Sequence, residues 1–325
     1  RHEKDERAAL GIVQTHLFLQ HGEEALQELT RIREFTNNPQ RIDIVRSQIL
    51  INIGETDRAK DVLMSLLEES PLSQANYLLG VIFYEELNFE EALTVLKKIP
   101  PDAPEYRESM LLQVRIFEEQ SRSALSTQLL QESLTREETR LPVFYSLLAS
   151  IYQKNKQTEE AVSTFLQGLD SFPENQSLLY EYAILMEKRG NHDTAMETMQ
   201  KILVLNPNHA DSLNFIGYSW ADRNINLKKA YQYIRKAIEL KPESGYILDS
   251  LGWIYFRLGE FEKARIELER AIKFESDDPY IYEHLGDTYN ALGNREKSLF
   301  YYQKAIEILT DEDKIDAIQK KITDL

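Results

Sequence analysis

Cysteine is absent from all 325 residues, which excludes disulfides, thiolate metal sites and cysteine nucleophiles. That absence suits a reducing and an oxidising compartment equally. No basic stripe interrupts a formal net charge of −16, so the surface repels phosphate backbones and no nucleic-acid partner is expected. There is no run of roughly 18 apolar residues, hence no expected membrane span. An apolar signal segment is missing as well, and the chain begins RHEKDERAAL without an initiator methionine. The expectation is a chain cut from a longer product, the missing part carrying a signal, a lipid anchor or another domain.

Catalytic signatures are also missing. The sequence holds no P-loop, no GxSxG, no HExxH and no dinucleotide fingerprint. Its six histidines are His2, His16, His21, His192, His209 and His284. None stands at metal-ligand spacing with a second histidine and a carboxylate, so each reads as a solvated or packing residue. The pairs Glu23-Glu24, Glu90-Glu91 and Glu159-Glu160 recur near the start of a predicted helix, where acidic side chains complement the helix dipole. No enzyme, metal or cofactor is expected.

What the sequence has is a period. Gly245 to Asp278 is a stretch of 34 residues that reads as two short amphipathic helices with a turn at Gly259. Leu248, Leu251, Gly252 and Tyr255 make one stripe, and Ala264, Leu268 and Ala271 the other. Two such helices cannot bury both faces alone and need neighbours of their own kind. Small residues at Ala25, Ala59, Ala92, Ala161, Ala195, Ala230 and Ala264 recur at gaps of 34, 33, 69, 34, 35 and 34. Prolines at 71, 104, 173, 207 and 242 keep the same rhythm just past the second helices. In phase, repeats begin near Glu6, Gln40, Ser73, Arg107, Pro142, Gln176, Ala210, Gly245 and Pro279. The tail, with Ile315, Ile318 and Ile322, predicts one more amphipathic helix covering the last repeat.

These residues carry a resemblance. The pattern L-x-x-L-G-x-x-Y at Leu248 to Tyr255, followed by Ala264, Leu268 and Ala271, resembles the tetratricopeptide repeat. Tyr282, Leu285, Gly286, Tyr289, Ser298, Tyr302 and Ala305 repeat it. The resemblance implies an all-α fold, an α-solenoid coiled as a right-handed superhelix of about nine helix-turn-helix repeats, plus a C-terminal capping helix. The expected organisation is an N-terminal arm over 1–106, a degenerate fourth repeat over 107–141, a C-terminal arm over 142–312 and a cap over 313–325. The seventh repeat is 35 residues long, its extra residue lying in ADRNINLKK. In the fourth, Arg115 is read at a position that wants Gly or Ala, Thr127 near the second small position, and KKIPPDAPEY precedes it. That stretch predicts an irregular turn, or alternatively a bend between the arms.

In this family the first helices line the inner face, at the second, fifth, ninth, twelfth and thirteenth positions of each repeat. Carried onto the last three repeats, the rule gives Asn214, Tyr218 and Asp222; Tyr246, Asp249, Trp253, Phe256 and Arg257; and Tyr280, Glu283, Asp287 and Asn290. This aromatic and acidic wall implies a protein or peptide partner held by aromatic anchors; Trp253 and Phe256 packing against adjacent first helices is the competing reading. The N-terminal arm is more aliphatic inside. A self-association face fits it, as does a surface where further repeats once packed or ordinary repeat packing, the last two being favoured. None of the fifth positions is basic, from Leu10 and Ile44 to Asp249 and Glu283, which argues against the carboxylate clamp of tetratricopeptide co-chaperones.

Leu213 to Ala264 resembles, more narrowly, the C-terminal repeats of bacterial tetratricopeptide proteins, several of them outer-membrane lipoproteins. Some of these are adaptors that bring substrates to a processing protease. Here Arg257 follows Tyr255-Phe256, where that motif commonly has Tyr-Arg directly. The resemblance implies a non-catalytic scaffold at the periplasmic face of a bacterial outer membrane, with the cytoplasm as the alternative. A second reading is the regulatory or substrate-recruiting array of a larger enzyme.

Overall fold

The computed structural model describes residues 2–325. The reading of His2 falls on a side chain outside those described. Nineteen α-helices and one 3-10 turn account for the secondary structure, and there is no strand among the described residues. The chain is an α-solenoid of helical hairpins. It divides into two compact units, Arg1–Gln157 and Thr158–Leu325.

The first unit holds α1 (His2–Phe18), α2 (Gly22–Arg33), α3 (Pro39–Asn52), α4 (Thr56–Glu69), α5 (Ser73–Glu85), α6 (Phe89–Leu96), α7 (Tyr106–Glu119), α8 (Ser123–Leu134) and α9 (Pro142–Lys154). Within it α1 packs on α2, α3 on α4, α5 on α6 and α7 on α8, and each of these hairpins packs on the helix that follows it. Pro100 and Pro101 leave α6 only 8 residues long, and an irregular link leads to α7. A 3-10 turn at Glu137–Thr139 follows α8, where Arg140 Nε donates to the Leu134 carbonyl at 3.0 Å.

In the second unit are α10 (Thr158–Ser171), α11 (Gln176–Lys188), α12 (His192–Leu205), α13 (Ala210–Asp222), α14 (Leu227–Leu240), α15 (Gly245–Arg257), α16 (Phe261–Ala271), α17 (Pro279–Ala291), α18 (Arg295–Ile308) and α19 (Glu312–Thr323). The helix starts are marked by side chains. Asn175 accepts from the Leu178 N–H at 3.0 Å and Asn294 from that of Lys297 at 3.1 Å, each satisfying a donor the helix leaves free. Pro279 occupies the first turn of α17, where its missing N–H costs nothing.

Two glycine positions show why the hairpin closes. Gly259 has φ +76, and with Glu260 it returns N–H bonds to Phe256 and Tyr255, both 2.9 Å, ending α15. Gly252 serves close approach instead: a Cβ built there would lie 2.5 Å from Leu268 Cγ. The alanine ladder is the other half of that contact. Ala25, Ala59, Ala92, Ala161, Ala195, Ala230 and Ala264 are all 0% exposed.

The fourth repeat needs a correction. Arg115 is exposed, and the buried residue at the small position is Val114, one residue earlier. The small residue of its second helix is Ser126, fully buried, rather than Thr127. The phase is therefore kept, and the repeat departs from the pattern by a valine. In the seventh repeat the extra residue lies between α13 and α14, where Asn224 and Asn226 are both left-handed, with φ 56 and 49. Asparagine tolerates that conformation better than most residues. As expected, α19 caps the last hairpin, burying Ile318 against Tyr302 and Ala305.

Candidate binding surface on the first helices of the last repeats

Within the second unit, α15 packs between α13 and α17. These three helices carry all twelve candidate residues. Period sets what meets what: a residue on one first helix faces the residue about 34 places on. The Tyr246 hydroxyl donates to Asp211, 35 residues earlier, and Lys241 Nζ lies 2.8 Å from both Asp211 oxygens. Burial would raise the Asp211 carboxyl, but hydrogen bonds from Lys241 and Tyr246 hold it below the usual carboxylate range.

The next rung is buried. His284 Nδ1 sits 2.7 Å from Asp249 Oδ1, and both residues are 7% exposed. The imidazole stacks on Trp253, with ring centroids 4.3 Å apart and planes at 19°. Trp253 stacks in turn on Phe256 at 4.8 Å, and the Arg257 guanidinium lies 5.7 Å from its ring centroid. Burial alone would push the His284 pKa down. The Asp249 carboxylate outweighs it, helped by Asp287 and Glu283, and the pKa lies above the ordinary value. Tyr218, with its ring 6.5 Å from His284, is pushed far up by burial and then by the charges of Asp249, Asp222 and Glu283.

The last rung is closed by the cap. Lys321 on α19 reaches Glu283 at 2.7 Å and Asp287 at 2.8 Å, and Asp287 also accepts from the Tyr302 hydroxyl at 2.6 Å. Lys314 bonds the Tyr280 hydroxyl and lies 4.4 Å from that ring's centroid.

The twelve residues thus fall into groups. Asp222, Tyr246, Tyr280 and Asn290 are exposed; Asn214, Tyr218, Phe256, Arg257, Glu283 and Asp287 are half-buried; Asp249 and Trp253 are buried. Two of the twelve hold a polar atom that is buried without a partner, Asn214 Oδ1 and Trp253 Nε1. Sequence reasoning set His284 aside as solvated or packing and missed its pairing. The signal was its distance of 35 residues from Asp249, one repeat plus one. Lys314 and Lys321 were missed too, because the cap was read only for its isoleucines. Among the described residues no three of His, Asp and Glu come together to hold a metal ion, and no helix is long and apolar enough to cross a membrane.

The repeats match those of known proteins. The TPR or tetratricopeptide repeat matches at residues 146–210, 252–293 and 279–308. A TPR repeat-containing protein of Pseudomonas aeruginosa is 28% identical over 190 residues, covering 58% of this chain and 32% of that protein. The auxiliary subunit of the N-terminal acetyltransferase A complex of Arabidopsis thaliana is 24% identical over 211 residues, covering 61% of this chain and 23% of that one. The chain thus spans about a third or less of the length of these curated relatives. A solved tetratricopeptide repeat protein of Parabacteroides merdae shares the fold, with a TM-score of 0.56 at 19% identity over 75% of this chain and 96% of that one.

Proposed function

Since the chain is a tetratricopeptide-repeat protein, we propose that it is a protein-interaction scaffold whose partner lies along α13, α15 and α17. The repeat fold is typically a non-catalytic scaffold, and protein partners suit it. The observation that carries the reading is the mixture on this surface. Exposed Tyr246 and Tyr280 and half-buried Tyr218 and Phe256 offer aromatic area, beside the exposed polar side chains of Asp222 and Asn290. An extended peptide lays its side chains over these rings and its polar groups against Asp222 and Asn290. Rigid aromatic anchors contribute contact at low entropic cost.

The test is selection of peptides from a displayed library against the whole chain, followed by calorimetry on the enriched sequences. Tyr218→Ala with Phe256→Ala is expected to weaken binding by about tenfold or more. Undiminished affinity in a double variant that retains the wild-type circular dichroism would remove this surface from consideration.

On the finer reading the partner is a processing protease of the bacterial envelope. The resemblance of Leu213 to Ala264 to bacterial adaptors is what suggests it. A second reading, an array that recruits substrate for a larger enzyme, is favoured by the greater length of the relatives and by the auxiliary subunit among them. Binding of purified candidate protease separates the two: saturable binding lost in the double variant supports the adaptor, and none at all counts against it.

A further inference from the structure

The Asp249–His284 pair is the most completely buried charged contact of the second unit, and it joins two repeats rather than two turns of one helix. Its neighbours explain what holds it. On α17 itself, Glu283 and Asp287 flank His284, and both are tied to Lys321 of α19. From α15 come Asp249 and, behind the Trp253 ring, Arg257. The α13 helix contributes Tyr218, whose phenol also faces Asp222. On α18, Tyr302 bonds Asp287, and Lys297 lies over the Tyr289 ring at 4.8 Å. On α16, Glu269 accepts from the Tyr289 hydroxyl of α17 and pairs with Arg265 of its own helix, and Arg270 pairs with Glu267. The nearby cation Lys321 is thus spent on Glu283 and Asp287, and Arg257 stands behind an indole. Only a protonated His284 gives Asp249 a cation in hydrogen-bond contact.

We propose that the junction between the eighth and ninth repeats is a proton-operated joint: protonated His284 locks α17 onto α15 through Asp249 and Trp253, and loss of the proton loosens the last hairpin and its cap. The physical reason is asymmetry. A charge-assisted bond in a buried site is about twice as strong as a neutral one, and a buried carboxylate without a cation is costly. Because the imidazole lies flat on Trp253, the same event changes the surface that Trp253 and Phe256 underlie. The inference stands whether or not that surface binds a peptide.

The raised pKa of His284 fixes the direction. Its contribution to stability is complete below the unfolded histidine value, about pH 6.5, and is lost as pH rises through the folded value. Each unit between the two corresponds to about tenfold in the opening equilibrium of the joint.

Trp253 reports on the joint directly. The chain has two tryptophans, so Trp220→Phe leaves Trp253 as the sole tryptophan, excited selectively at wavelengths where tyrosine does not absorb. An imidazolium quenches a stacked indole more than a neutral imidazole does. Emission of that variant is expected to rise with pH around a midpoint above about 6.5. Adding Asp249→Asn, which keeps an acceptor and removes the charge, should move the midpoint down; adding His284→Gln should flatten the curve. Amide exchange in α17 and α19, normalised to α11 and α12, should accelerate across the same midpoint. A midpoint at or below the ordinary histidine value, a curve unchanged by Asp249→Asn, or exchange indifferent to the midpoint each overturns the joint. Should His284→Gln unfold, the Asp249→Asn shift and the wild-type exchange profile still decide.

Discussion

Asp249 and His284 are 35 residues apart in sequence and 2.7 Å apart in space. The offset is that of a repeat, and it recurs at several of the polar contacts that bridge hairpins. In the first unit Arg58 meets Glu23 at 2.6 Å across 35 residues, Tyr84 meets Glu119 at 2.5 Å across 35, and Lys154 meets Glu118 at 2.7 Å across 36. In the second, Tyr246 meets Asp211 across 35 and Lys321 meets Asp287 across 34. Apolar packing stacks the hairpins, and these contacts run between the stacked hairpins at the repeat spacing.

The buried pair gives stability a pH signature. The stability gap between wild type and His284→Gln is expected to be full below about pH 6.5 and to shrink as pH rises through the elevated folded pKa. Urea denaturation of both proteins at a series of pH values checks it. A gap that widens with pH contradicts the assignment.

Two glycines should fail for different reasons. Gly252→Ala places a Cβ 2.5 Å from Leu268 Cγ and 3.3 Å from the Ala264 carbonyl oxygen, and overpacking of this kind costs about 1–3 kcal/mol. At Gly259→Ala nothing lies within 4 Å, so only the left-handed backbone is penalised, by about 1 kcal/mol. Adding Leu268→Ala to Gly252→Ala should relieve the clash, and to Gly259→Ala should relieve nothing. Chemical denaturation of the singles and doubles reads this out.

Removing the cap's cation should be mild and salt-sensitive. Lys321→Ala leaves Glu283 and Asp287 facing each other without it, but the lysine side chain is 37% exposed, so solvent screens much of the effect. A loss of about 1 kcal/mol is expected, smaller at high salt. Truncation after Leu309 removes Ile318 from Tyr302 and Ala305 and should cost more, seen as faster amide exchange in α17 and α18.

In the first unit, Asp43 is the corresponding point. It is buried, takes Arg33 Nε at 2.8 and 3.0 Å and takes Arg46 at 3.0 Å, linking α2 to α3. Asp43→Ala leaves two guanidinium groups without their acceptor. Discounted for the exposure of Arg33, the expected loss is about 2 kcal/mol, measurable by denaturation.

The amino-acid sequence by itself determined the period, the hairpin and the fold. Alanine and glycine at fixed places allow two helices to approach, and proline past the second helix stops it, so the pattern is local and legible. Even in the fourth repeat the phase survives, although Val114 in the small position hid it and drew attention to Arg115. The tertiary structure alone decided which of the inward positions are open. Trp253 and Asp249 belong to the same stripe as exposed Tyr246 and Tyr280, yet His284 of the next repeat covers both. Period names the position on a helix; only the side chain arriving from the neighbouring hairpin determines whether that position meets solvent or is buried.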